Sequence, residues 1–183
     1  MVAIMGTKTA LTPADLLNLP DDDTVVHELS HGELITTGKP LMGHQLIKSN
    51  VLTELIGYRI QHPEVGRVFS ESLFQLGPVT ARVPDVAFLG AAKVGSLSHA
   101  NIVIPVAPDI AVEVISESET AAAAETKVQE YLAAGVQEVW QFYPRSERVW
   151  VHLSDHAYNL SADQTLQTPL LPGFSVKVSS FFA

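Results

Sequence analysis

The sequence predicts an α/β or α+β fold in which a mixed β-sheet carries helices on its faces. Three observations carry that prediction. A segment from about Gly43 to Gln61 places Leu46, Ile47, Val51, Leu55 and Tyr58 at three- and four-residue spacing, the period of an amphipathic helix. Apolar, β-branched runs at 83–89 and 109–116 read as strands. An alanine-rich stretch follows them, and then further strand-like runs, so strand, strand, helix and strand succeed one another behind the long helix.

The elements follow in order. Thr12-Pro13-Ala14-Asp15 supplies an N-cap residue, a proline at the first helical position and an early acid, so a short helix is expected to about Asn18. Pro20 and the acids Asp21 to Asp23 end it. Val25 to Leu29 and Glu33 to Thr37 are extended segments around Ser30-His31-Gly32, a hairpin with glycine in its turn. After the long helix, Val68 to Leu76 and Val83 to Leu89 read as strands separated by a Gly-Pro turn, and Gly90 to Asn101 as a mixed connection. Asp109 to Ser116 is the most apolar strand and hence central. Glu119 to Ala134 is helical with Gly135 as its C-cap, and strands Glu138 to Tyr143 and Arg148 to His152 flank the turn Pro144-Arg145-Ser146-Glu147. The tail through Leu170-Leu171-Pro172-Gly173-Phe174 should pack over the sheet and finish with Phe181-Phe182. With no repeat, low-complexity tract or linker, residues 1–183 are expected to form a single domain.

Composition narrows the function classes. A chain of 183 residues that is 46% hydrophobic can bury one sizeable core. The absence of cysteine excludes disulfides and thiolate metal sites. A net charge of −9, from 20 acidic and 11 basic residues, argues against a broad electrostatic grip on duplex DNA. Met1 to Ala14 lacks a basic stretch before an apolar one, and no run approaches the roughly 18 apolar residues that cross a bilayer. No membrane contact and a cytoplasmic location are expected.

Each of two apolar runs carries an acid: Asp85 in Val83-Pro84-Asp85-Val86-Ala87-Phe88-Leu89, and Glu113 in Asp109-Ile110-Ala111-Val112-Glu113-Val114-Ile115. A carboxylate in an apolar strand is costly unless it is paired, hydrogen-bonded or bound to a cation. Phosphodiester hydrolysis needs a cation to polarise a phosphoryl oxygen and activate water, and charge neutralisation in the transition state. Magnesium takes hard oxygen ligands from one or two carboxylates. Asp85 and Glu113 offer such ligands if their strands are neighbours, and Lys127 of the following helix would then lie over the same end of the sheet. By spacing alone the three residues also fit a strand-start acid, an edge acid and a solvated lysine.

These segments, with Lys127-Val128-Gln129-Glu130-Tyr131-Leu132-Ala133-Ala134-Gly135-Val136-Gln137-Glu138-Val139-Trp140, resemble the Uma-two family of restriction-endonuclease-like proteins. His27-Glu28-Leu29-Ser30-His31-Gly32-Glu33-Leu34 is similar to that family's early Tyr-Glu-Leu-x-x-Gly-Glu segment, and Gly43-His44-Gln45 to its helix start. The resemblance covers about Val25 to Tyr143. It implies the PD-(D/E)XK nuclease fold, a mixed sheet flanked by helices, with Mg²⁺ (or Mn²⁺ in its place) on Asp85 and Glu113. The superfamily's usual lysine position is here Ile115, and the resemblance puts the lysine on the next helix, at Lys127. Glu28, or less closely Glu33, is similar to the extra acid near the N-terminus. Ser116-Glu117-Ser118, Phe142-Tyr143-Pro144 and His27 depart from the family pattern without removing a proposed ligand.

His27-Glu28-Leu29-Ser30-His31 is also a literal H-E-x-x-H, which binds zinc when a helix sets both imidazoles on one face. Val25, Val26 and Gly32 favour a hairpin instead, and on a strand the rings would stand about 13 Å apart. Among the remaining polar residues, His44 is expected as a solvated helix-start residue and Arg82 as an exposed strand-end arginine. Tyr131 shares the helix face of Lys127 and is expected to serve packing, and Trp140, Phe142 and Trp150 to serve the core or a dimer interface. The leading reading is a Mg²⁺-dependent endonuclease cutting DNA, expected as a homodimer because two sites cut two strands. A non-catalytic, nucleic-acid-associated or regulatory protein retaining the fold is the alternative, and a zinc hydrolase a further one.

Overall fold

The computed structural model describes residues 10–20, 22–38, 40–98 and 100–183. Residues 1–9 of the Met1 to Ala14 segment, Asp21 of the expected helix stop and His99 of the 90–101 connection lie outside them. In chain order the elements are α1 (Pro13–Leu16), β1 (Val25–Ser30), β2 (Glu33–Gly38), α2 (Met42–Gln61), β3 (Gly66–Ser70), β4 (Phe74–Gly77), β5 (Thr80–Arg82), β6 (Val86–Gly90), α3 (Ala91–Val94), β7 (Ile110–Val114), α4 (Ala121–Ala133), β8 (Glu138–Tyr143), β9 (Arg148–His152), β10 (Ala157–Leu160), β11 (Thr165–Gln167) and β12 (Ser175–Lys177). The predicted mixed α+β architecture is present. Among the described residues no helix is long and apolar enough to cross a membrane.

A six-stranded sheet in the order β10-β9-β8-β7-β6-β3 forms the centre. Its neighbours are antiparallel except β7 and β8, whose parallel pairing needs the crossover that α4 provides. A four-stranded antiparallel sheet, β2-β1-β5-β4, stands beside it, and β11 pairs with β12. Side chains alternate along β7. Ile110, Val112 and Val114 face the main core with Ile47, Val51 and Leu55 of α2 and with Leu171, Phe174 and Phe181 of the tail. Ala111 faces the other way, into a cluster with Val128 and Tyr131 of α4. By the same alternation Glu113 is directed at α4. The Thr120 side chain caps that helix by accepting from the Ala123 N–H, and Gly135 follows its C-cap Ala134 with φ +88°.

Three expectations are corrected. The strand expected over Val68 to Leu76 is two strands in different sheets, β3 and β4, broken at Glu71, whose φ of +47° turns the chain. The strand expected over Val83 to Leu89 begins at Val86, because Thr80–Arg82 belongs to the other sheet and Val83-Pro84-Asp85 is the crossing between the two. Proline suits that crossing, having no N–H to give to a ladder. α1 is a single turn ending at Leu16, short of Asn18, and the tail carries three strands, β10 to β12, that no strong alternation announced.

Gly66 is a position that only glycine can fill. Its φ is +149°, and an added Cβ would stand 2.0 Å from the Leu89 carbonyl oxygen of β6. Gly66→Ala is expected to lower unfolding free energy by at least about 2 kcal/mol, read by urea denaturation; an unchanged midpoint would contradict this close approach.

Candidate active site

The antiparallel register of β6 and β7 pairs Val86 with Val112. One step further along, it sets Asp85 opposite Glu113, so two acids distant in sequence reach the same end of the sheet. The Val114 N–H donates to Asp85 Oδ2 at 2.7 Å, which fixes that carboxylate over the end of β7. Glu113 is 4% exposed, and both of its oxygens are engaged from α4. Lys127 Nζ donates to Oε2 at 3.1 Å and Tyr131 Oη to Oε1 at 2.7 Å.

The hairpin contributes the third acid. Pairing of Leu29 with Ala81 sets Glu28 opposite Arg82, and Arg82 Nη1 donates to Glu28 Oε2 at 3.0 Å. Glu28 Oε1 accepts from the Val83 N–H at 2.8 Å, and Oε2 lies 3.6 Å from Lys127 Nζ. Arg82 reaches α4 as well: its Nε donates to Glu130 Oε2 at 2.6 Å, and Glu130 Oε1 accepts from Ser30 Oγ. Arg82 is therefore a buried strut between two carboxylates, not the exposed strand-end arginine expected from sequence.

Asp85, Glu113, Lys127, Glu28 and Arg82 line one cleft of about 1030 Å³, together with Val26, Ile35, Pro40 and Leu41. His44 lies in it, with Nε2 3.2 Å from Asp85 Oδ2 and a buried Nδ1 that has no hydrogen-bond partner among the described residues, so it is no solvated helix-start histidine. Tyr131 does more than pack, since its hydroxyl reaches Glu113. Glu33 is exposed at the start of β2 and does not line the cleft, which leaves Glu28 as the hairpin's acid there. The H-E-x-x-H segment is strand and turn. His27 Nδ1 lies 2.9 Å from Thr36 Oγ1, while His31 sits in the turn at φ +49° before Gly32 at +83°, the left-handed pair of a tight hairpin. A helical zinc site is absent from this segment.

Burial is the largest influence on Glu113 and raises its pKa to about 7. Lys127 pulls against that rise, Asp85 and Glu28 add to it, and the Tyr131 hydrogen bond opposes it. Burial would lower Lys127, yet Glu113, Glu28 and Glu119 outweigh it and hold the ammonium protonated above its usual range. Tyr131 is pushed well above the ordinary phenol range by burial and by Glu113, so its hydroxyl stays a donor.

A mixed sheet flanked by helices, with this cleft at one end, is a nuclease-like fold. It is similar to the crystal structure described as "a putative nuclease belonging to DUF820 from Anabaena variabilis ATCC 29413", with a TM-score of 0.83 and 18% sequence identity over 94% of this chain and 97% of that one. The chain belongs to the Uma2 family, described as "Putative restriction endonuclease", which matches residues 13–179. No curated protein sequence matches it. Family and fold together support a nuclease function.

Two outcomes follow from the buried charges. Arg82→Met strands Glu28 and Glu130 without their partner and is expected to cost about 3–5 kcal/mol of stability in a denaturant titration; a loss under about 1 kcal/mol would show that water reaches the pair. Folded Glu113 keeps its proton up to about pH 7, whereas the usual glutamate value is 4.5. The folded state thus binds the extra proton between those values, and the contribution of Glu113 to stability falls as pH rises through them, by on the order of 3 kcal/mol. Glu113→Gln removes this dependence. In chelator-treated samples the melting temperature of the wild type minus that of the variant should fall from pH 5 to pH 8; a constant difference would mean that Glu113 is ionised throughout.

Proposed function

We propose that the chain is a divalent-metal-dependent endonuclease hydrolysing DNA phosphodiester bonds, with Asp85 and Glu113 holding the cation, Lys127 serving the reacting groups and Glu28 completing the site. One observation carries this reading. Asp85, Glu113 and Lys127, from a sheet crossing, a central strand and a helix, line one cleft, with Lys127 Nζ 3.1 Å from Glu113.

The donor set suits Mg²⁺ or Mn²⁺. Carboxylate oxygens are hard ligands, and the Asp85 and Glu28 carboxylates that raise the Glu113 pKa are the crowding a cation would relieve. Among the described residues no group of three or more His, Cys, Asp and Glu side chains is gathered to hold an ion. Two carboxylates suffice for Mg²⁺, which keeps several waters and takes phosphate oxygens. When bound, it supplies polarisation of a phosphoryl oxygen and a lowered water pKa. Lys127, protonated and held between Glu113 and Glu28, orients the attacking water or neutralises charge developing on the phosphoryl group. Glu28, with Oε1 on the Val83 N–H and Oε2 on Arg82, holds the ammonium in place. A homodimer presenting one site to each strand belongs to the same proposal and is read from molar mass in solution.

One observation favours a non-catalytic protein that keeps the fold: six acids line the cleft, and Arg82 and Lys127 are committed to carboxylates. Incubation of wild type, Asp85→Asn and Glu113→Gln with plasmid and single-stranded DNA in Mg²⁺ or Mn²⁺ separates the readings. Cutting by the wild type is expected, and each substitution should slow it by about 100-fold or more. Cutting retained in both variants would remove these residues from the mechanism, and no cutting with any divalent ion would leave the non-catalytic reading.

A further inference from the structure

Resting on the metal-site reading above, we infer that Tyr131 is a positioning residue: its hydroxyl holds one oxygen of Glu113 so that the carboxylate is set for the cation. Tyr131 is fully buried among Ala111, Val128, Val136 and Val139, an apolar cluster that a phenylalanine ring would fill equally well. Packing therefore accounts for the ring and not for its oxygen. A buried hydroxyl needs a partner, and among the described residues it donates to Glu113 Oε1 at 2.7 Å. With Oε1 occupied, Lys127 takes Oε2 at 3.1 Å, so the two donors from α4 fix the rotation of the carboxylate between them. Positions 127 and 131 are four residues apart on one helix face, which makes this two-point hold a property of one rigid element.

A carboxylate that ligates a cation through an oriented outer partner loses affinity when the partner is removed, by about 10-fold to 100-fold. The test is Mn²⁺ titration by calorimetry on wild type, Tyr131→Phe, Val128→Ala and Asp85→Asn, with thermal melts of the metal-free proteins. Val128 packs in the same cluster and has no polar atom, so its truncation loosens α4 without touching the hydrogen bond. Tyr131→Phe should weaken Mn²⁺ binding by about 10-fold or more while melting cooperatively; Val128→Ala should melt lower and bind Mn²⁺ as the wild type does. Wild-type affinity in Tyr131→Phe, or an equal loss in Val128→Ala, overturns the positioning role. Should Tyr131→Phe not melt cooperatively, the Val128→Ala titration decides alone, an affinity loss there assigning the effect to packing. Wild-type binding that Asp85→Asn leaves intact, or no binding by the wild type, overturns the metal site itself and the positioning role with it.

Discussion

The structure depends on neutralising a knot of ionisable groups that water barely reaches. Glu28, Arg82, Glu113 and Glu130 are all buried, and leaving any one of them charged without a partner would cost several kcal/mol. One face of α4 closes the account: Lys127, Glu130 and Tyr131 stand at positions i, i+3 and i+4. Lys127 and Tyr131 reach the central strand β7 through Glu113, and Glu130 reaches β5 through Arg82 and β1 through Ser30. The contacts that seat the helix on both sheets are therefore the contacts that arrange the cleft. A site built this way is preorganised by the same energy that folds the chain.

The second constraint is the place where the chain changes sheets. Val83-Pro84-Asp85 leaves β5 in one sheet and enters β6 in the other, and Glu71 marks the corresponding break between β3 and β4. The two crossings touch: the Glu71 N–H and the Ser70 hydroxyl both donate to the Asp85 carbonyl. Asp85 thus has its backbone held by one crossing and its side chain by the Val114 N–H. Its carboxylate is aimed by that main-chain N–H, with His44 Nε2 3.2 Å from the same oxygen.

Local pattern reveals what depends on neighbours in sequence and conceals what depends on neighbours in space. β8 and β9 have the bounds their alternation announced, and β7 is central as its apolar run, broken only by Glu113, implied. The acids Asp85 and Glu113 stood out because charge inside an apolar strand is conspicuous, and Lys127 through its block resemblance to a family. The partners of Arg82 lie 54 and 48 residues away, so nothing adjacent to it signals burial. His44 reads as solvated because Asp85, 3.2 Å from its Nε2, is far from it in sequence. Tyr131 did carry a signal, its four-residue spacing from Lys127, but spacing reports a shared face and not a shared carboxylate. The break at Glu71 is a single left-handed residue, which a run of β-formers on either side hides.

The charge of the cleft bears on how a nucleic acid could be held there. Affinity for a polynucleotide ordinarily comes from lysines and arginines that displace counterions, each phosphate contact adding to the salt dependence. Here Arg82 is locked between Glu28 and Glu130, and Lys127 between Glu113 and Glu28. Among the described residues lining the cleft, both side-chain cations are thus paired with carboxylates, while Glu71, Glu117 and Glu119 add negative charge around them. A phosphodiester approaching this surface would meet repulsion, and on the proposed function a divalent cation held by Asp85 and Glu113 would offset it. Substrate binding and metal binding would then be coupled, because the residues that would hold the cation are those whose charge opposes the phosphate.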